Sequence, residues 1–365
     1  MLHHFSLLMM MKSSTLRLII TLLLGPLVGL HAAASEASQS CLPDTGQTHQ
    51  YTRTFGEDSD FSGNSPSFSD NGDGTVTDKV TGLIWQKTDG GEMTWDNAQE
   101  YARNLRLAGH KDWRLPGSME LFSIMNHDMH GPAMDTRFFE RSEARYWWTD
   151  SSRADDASRV WLVNTGGGIG AHLKTETISA GGERPVHVRC VRGTSALGKG
   201  PRLHDNADGT VTDERTGLIW QEIGPTQGMT WEDALKHCDS LQLGGQNGWR
   251  LPNIKELRSL SDDGKVQPSI DKAFFRAAQA ANYWSSTTQS NRPERAWFVD
   301  FTTGLVTYAD KTESLHVLAV RGGVAGPGSR DKPAPDPKVL AGSVKDRDPS
   351  DAKGKDKKKG KPQPN

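Results

Sequence analysis

Much of this chain is written twice. The run DNGDGTVTDKVTGLIWQ, Asp70 to Gln86, returns as DNADGTVTDERTGLIWQ from Asp205 to Gln221. Met93-Thr94-Trp95 returns at Met229-Thr230-Trp231, and Trp113-Arg114-Leu115-Pro116 at Trp249-Arg250-Leu251-Pro252. Phe138-Phe139 answers Phe274-Phe275, Tyr146-Trp147 answers Tyr283-Trp284, and HVRCVRG from His187 answers HVLAVRG from His316. Ordered matches at near-constant spacing mean a duplication, so two copies of one module are expected, residues 68–193 and 203–322.

Each copy reads the same way locally. Thr and Val alternate in DGTVT as in a strand, and TGLIW follows through a Thr-Gly turn as a second. Thr94 and Thr230 stand where helix N-caps belong. Behind them Trp95, Ala98, Ala102 and Leu105 recur at helical spacing, as do Trp231, Ala234, Cys238 and Leu241. A second helix is expected after each WRLP, with Asn253 and Glu256 at capping-box spacing in the second copy. Hairpin strands complete the module: Tyr146 to Thr149, Val160 to Val163, then a closing strand Val186 to Arg192. The fold class is therefore α+β, two helices with an antiparallel sheet in each module.

The flanks are different in kind. Lys12 and Arg17 precede an apolar stretch from Leu18 to Leu30, and Ala32-Ala33-Ala34 offers a cleavage site; 1–34 reads as a signal peptide. That run is short and holds Pro26, so a membrane anchor is disfavoured, and no later segment is apolar enough to span a bilayer. Met11 is an alternative start. Cys41 lacks the leucine three residues before it that lipid attachment would want. Residues 35–67 look like a polar leader or linker. From 323 to 365 the chain turns to Gly, Pro, Asp and Lys, ending on Lys353, Lys355, Lys357, Lys358, Lys359 and Lys361. That tail is expected to be disordered and 60–322 to be the protease-resistant core. An exported protein, in the periplasm, at the cell surface or outside the cell, follows. Net charge is -2, which gives no global basic field for nucleic acid.

The order DGTVTD–TGLIW–TW–A–WRLP–EL–YW–W–HVRCVR resembles the C-terminal domain of the collagen-like bacterial adhesin (Lcl) family, across nearly the whole of both modules. The resemblance implies a C-type-lectin-like fold and surface exposure, and for the adhesin members, binding of sulfated polysaccharides. Family members often carry one cysteine on the first helix and one on the closing strand, joined as a disulfide. Here module one has Ala102 and Cys190 at those places, and module two has Cys238 and Ala319. Exchange of the closing strands between modules would bring Cys190 to Cys238 and allow a bridge; the alternative is two buried free thiols.

Candidate site residues lie where the copies differ near strand ends. In module one they are Trp148 (against Ser285), Asn164, His172 and Lys174; their rough counterparts are Asp300, Tyr308 and Lys311. An exposed Trp148 would stack on a sugar face. Trp85, Trp113, Trp161, Trp220, Trp249 and Trp297 repeat and belong to the cores. Arg114 and Arg250 are expected to pair with Glu120 and Glu256. His187 and His316 read as surface or structural. Asp70, Asp73 and Asp78, with Asp205, Asp208 and Asp213, superficially suggest a calcium loop, but their spacing is ordinary turn chemistry. No cofactor is called for beyond a divalent cation at those acids.

No nucleophile elbow, zincin helix, phosphate loop or zinc spacing is present. The RLP segment is reminiscent of formylglycine-generating oxygenases, which need a close cysteine pair that neither module has. The leading reading is a carbohydrate-binding or adhesive surface protein whose partner is a polysaccharide or glycan. The second is a scaffold that binds an envelope protein. The near-neutral charge weighs for the second over strong sulfated-glycan binding, because polyanion affinity comes from clustered Lys and Arg.

Overall fold

The computed structural model describes residues 41–177, 186–323 and 330–341. The expected signal peptide and the lysine-rich end of the tail lie outside them. Module one runs β1 (Phe68–Asp70), β2 (Thr75–Asp78), β3 (Ile84–Gln86), α1 (Trp95–Asn104), α2 (Ser118–Ser123), β4 (Tyr146–Arg153), β5 (Asp156–Asn164), β6 (Ile169–Leu173), β7 (Val186–His187) and β8 (Val191–Arg192). Module two repeats the order with β9 (Leu203–Asp205), β10 (Thr210–Asp213), β11 (Leu218–Gln221), α3 (Trp231–Ser240), α4 (Ile254–Ser259), β12 (Asn282–Thr288), β13 (Arg295–Asp300), β14 (Leu305–Asp310) and β15 (Val320–Arg321). A short α5 (Pro337–Ala341) follows. The architecture is mixed helix and sheet, and mostly sheet.

The helices start where the sequence places them. Thr94 and Thr230 accept from the backbone N–H of Asn97 and Asp233, and Asn253 and Glu256 close a reciprocal capping box. Such caps satisfy N–H groups that the first helical turn leaves without a partner. Ala98 and Ala102 are buried beneath α1, as Trp231, Ala234 and Cys238 are beneath α3.

Each module closes on itself: β8 pairs with β3 and β15 with β11, both antiparallel. The expected single closing strand of module one is two pieces in two sheets. β7 lies parallel to β4, while β8 joins the small four-stranded sheet. The segment thus crosses from one sheet to the other and ties them together.

The larger sheet belongs to both modules, in the order β12-β13-β14-β6-β5-β4-β7. Its middle is the antiparallel contact of β14 with β6, where Val306 faces Ile169. One core follows from this, with Trp85, Trp161 and Ile169 packed in the same cluster as Trp220, Trp297 and Val306. Smaller separate cores lie under α1 and α3. At the seam, the buried His127 ring stands edge-on to Phe122 and to Trp297 of module two. Burial and the nearby Lys255 push its pKa down to about 3, so it is neutral.

Two sequence expectations fail here. The leader is no loose linker: Leu42, Thr45, Gln47, Tyr51, Glu57, Asp58 and Asp60 are buried, and the strap they form bonds His127 and Asp128 of module one as well as Thr287 and Thr288 of module two. The side-chain amide of Gln47 donates to Thr288 O at 2.8 Å and accepts from Thr288 N at 2.9 Å, so it extends the edge of β12 as a strand would. Its polar residues find partners inside the fold, which a composition argument cannot see. The start of the tail is also docked. The Lys332 side chain is buried and donates to Glu57 at 2.7 Å and to Asp60 at 2.9 Å, and Arg330 lies over the Phe55 ring and pairs with Asp239. The packed unit therefore extends beyond 60–322 on both sides.

The strand pairing also corrects the alignment of the repeats by one residue. Trp148 and Trp284 are the true counterparts, their indole N–H groups donating to Met93 O and Met229 O. Thr149 and Ser285 follow them, bonding Trp161 O and Trp297 O, each at 2.7 Å.

Candidate binding sites

Trp148 is fully buried in the core under α1, so its expected role as an exposed platform is withdrawn. Aligning Tyr146-Trp147 with Tyr283-Trp284 had made it appear unmatched. The other sequence candidates are spread along the sheet. Asn164 accepts from the N–H of Gly166 and Gly168, and Asp300 accepts from Thr302 N, so both hold equivalent turns. His172 bonds Glu176 beside the Tyr146 ring. Lys174 sits 4.5 Å over Trp95 and Lys311 3.8 Å over Trp231, which makes them true counterparts. Tyr308 packs edge-on to Trp297 beneath Arg295. None of these residues lines either of the two large cavities.

The acidic loops are turns. Asp73 and Asp208 accept from Thr75 N and Thr210 N, and Asp70 and Asp205 accept from Gly72 N and Ala207 N. Asp78 and Asp213 are buried and hold the following Thr81 and Thr216 hydroxyls. Among the described residues no three metal-ligating side chains gather.

The proposed strand exchange does not occur. Both closing strands stay in their own modules, and all three cysteines are free. Cys190 lies in the core under α1 with Ala102, and Cys238 lies under α3 with Ala319. Burial pushes the Cys190 thiol up to about 12.

The expected ion pairs are present. Arg114 grips Glu120 through two bonds of 2.7 and 2.8 Å, and Arg250 grips Glu256 through two of 2.6 Å. His187 was expected at the surface or as a structural residue. It is structural: it is buried and its Nδ1 lies 2.9 Å from Asp89.

Asp89 is the centre of a cluster that the sequence reading missed. It accepts from the Trp147 indole at 3.0 Å and from the Ser142 hydroxyl, and Arg189 stands 3.7 Å away. Burial alone would raise the Asp89 carboxyl. The bonds from His187, Ser142 and Trp147 and the Arg189 charge outweigh it and hold the group well below the usual carboxylate range. Arg189 is fully buried over the Phe139 and Trp147 rings, and it donates to the carbonyls of Gln86 and Lys87. In this ionic cluster the Asp89 and Arg189 charges are thus buried close together and each is hydrogen-bonded, although Arg189 Nε has no partner among the described residues.

Above it opens a cavity of about 430 Å³, walled by Phe139 and Trp147 and rimmed by Glu140, Arg141, Glu143 and Arg145. Arg141, Glu143 and Arg145 are exposed. Module two has Ala277, Gln279 and Ala281 at these three places, Leu318 at that of Arg189, and Ile223-Gly224-Pro225 near that of Asp89. The signal is in the sequence, as differences between the copies, but at positions other than Trp148, Asn164, His172 and Lys174.

Among the described residues no helix is long and apolar enough to cross a membrane. No curated protein matches the chain significantly. The model of one family, the Lcl C-terminal domain, matches twice, over residues 74–192 and 209–321. These two matches take in both sets of caps, both WRLP ion pairs and both closing strands, and the chain belongs to the Lcl C-terminal domain family, with two copies of that domain in tandem.

Proposed function

We propose that this is an exported, non-catalytic surface protein of two C-type-lectin-like modules, and that module one takes a glycan in the cavity above Trp147. The family suggests a surface, adhesin-like role. The observation that carries the glycan reading is the composition of that cavity. It has aromatic walls, hydrogen-bonding and charged groups of both signs on its rim, and a volume within the roughly 300–1,000 Å³ of small-ligand sites. Aromatic faces suit the C–H surface of a sugar ring, while Arg141, Glu143 and Arg145 can bond its hydroxyl or acidic groups. The buried Asp89–Arg189–His187 cluster fixes the walls from beneath. The binding reading is further supported by the thiols, which are buried in separate cores rather than adjacent in a cleft.

A glycan array probed with the full exported chain tests this. Binding that is lost in the Arg141→Ala/Arg145→Ala variant, with an unchanged melting temperature, is expected. Glycan binding indifferent to both substitutions would remove the reading.

A further inference from the structure

The second large cavity, about 570 Å³, lies where module one meets module two. Module one contributes Arg114, Gly117, Asp150 and Ser151, and module two contributes Arg258, Asp262 and Asp263. Its meaning comes from the duplication, because the same groove in module two is filled.

The two grooves are built alike. Arg114 donates to Gly193 O at 3.0 Å, and Arg250 to Gly322 O at 2.8 Å. Ser151 Oγ accepts from Ser118 N at 3.2 Å, and Thr287 Oγ1 from Ile254 N at 3.0 Å. Asp150 N donates to Pro116 O at 2.9 Å, and Ser286 N to Pro252 O at 2.8 Å.

In module two a peptide occupies this groove: the leader strap. Asp58 accepts from the Thr287 hydroxyl, Asp44 accepts from the Asn253 amide at 3.2 Å, and the Phe61 ring stands 5.3 Å from the Arg250 guanidinium. The strap accounts for the difference in exposure of the paired arginines, 3% for the Arg250 side chain and 37% for that of Arg114.

We propose that the module-one groove is a peptide-binding site that takes an extended segment of a partner protein, bound as module two binds residues 44–61 of its own chain. The side chains that differ define the partner. Where module two has Ser286, module one has Asp150, a carboxylate that forms no ion pair among the described residues, while Asp262 and Asp263 on the opposite wall are already paired with Lys265 and Arg258. The segment therefore carries a lysine or arginine in place of Asp58, and an aromatic side chain over Arg114 in place of Phe61. A basic group beside Asp150 gains a charge-assisted bond that the leader's own acid could not make. This site is separate from the cavity above Trp147, and its test is independent of the glycan reading.

Two synthetic peptides spanning residues 44–65 serve as probes, one native and one with Asp58→Lys. On the full chain, calorimetry is expected to show the lysine peptide binding about tenfold more tightly than the native one, the worth of one charge-assisted bond. A photo-crosslinker in place of Phe61 is expected to label the segment from Arg114 to Ser118. Asp150→Ser should abolish the preference, and the Gly117→Asn/Asp150→Ser variant, which also restores the amide that bonds Asp44 in module two, should bind both peptides more tightly without restoring it. A Cβ at Gly117 meets only ordinary contacts, at 3.6 Å or more. Absence of binding by either peptide, labelling of module two, or a preference unchanged by Asp150→Ser would each overturn the proposal.

Discussion

Ile169 and Val306 occupy the same position in the two modules, and they pair with each other across the seam. Ile169 faces Val163 within its module and Val306 faces Val299 within its own. A residue that meets its own counterpart marks a local twofold relationship, here between halves of one chain rather than two subunits. The two edge strands meet at this one pair, which joins the two halves of the sheet.

The seam should be sensitive to a single methyl group. A Cβ at Gly168 would sit 2.8 Å from the Asn164 amide and 3.0 Å from the backbone carbonyl of Val306, which cannot move without parting β6 from β14. Gly168→Ala is expected to cost roughly 1–3 kcal/mol, as overpacking does. In calorimetric melting it should also broaden or split the unfolding transition. A sharp single transition at the original temperature would show that the modules do not depend on this contact.

Trp148→Ala and Trp284→Ala should destabilise the chain to a similar degree, each by about 3–5 kcal/mol, because both indoles are fully buried and hydrogen-bonded to equivalent carbonyls. Urea titration followed by circular dichroism measures both. A Trp148→Ala variant with native stability would return that ring to the surface.

The duplication, helix caps, WRLP ion pairs and repeated tryptophans were legible because each depends on local pattern. Thr94, Asn253 and the Arg114–Glu120 pair act within a few residues of themselves. The strap and the sites depend on distant partners. Nothing local tells that Asp58 will bond Thr287, or that Lys332 will find Glu57 and Asp60. The leader's polarity argued for a linker because composition counts polar groups without seeing that they satisfy one another. The misplacement of Trp148 had a simpler cause, a one-residue slip in aligning the two YW pairs.

The thiols should be free and inert in the native protein. Burial raises the pKa of Cys190 and of Cys238, and the thiolate is the reactive form. A disulfide reagent at pH 8 is expected to leave both unmodified until denaturant is added, with the half-buried Cys41 reacting first. Non-reducing peptide mapping that recovered a Cys190–Cys238 bridge would contradict the arrangement of the closing strands.

The strap should hold more firmly in mild acid than at neutral pH, and Asp58 is the reason. Its carboxyl is fully buried and bonded by the hydroxyls of Thr45 and Thr287. Burial, reinforced by the nearby Asp44 charge, raises its pKa well above the usual carboxylate value. Because the folded pKa is the higher one, the group does not weaken the docked state while it is protonated in both states. Stability is lost as pH climbs from the ordinary aspartate value of about 3.9 up to the raised folded value, since the released strap ionises first. Asp58→Asn keeps the shape of the neutral acid and cannot ionise. Trypsin cleavage at Arg53, followed at pH 5.5 and 7.5, is expected to quicken with pH in the native chain after correction for the enzyme's own pH dependence. In the Asp58→Asn variant the difference between the corrected rates should shrink, the remainder coming from Asp44 and Glu57, whose carboxyls burial also raises, and the rate at pH 7.5 should be lower than that of the native chain. Faster release of the variant at both pH values would mean that the ionised carboxylate, not the neutral acid, anchors the strap.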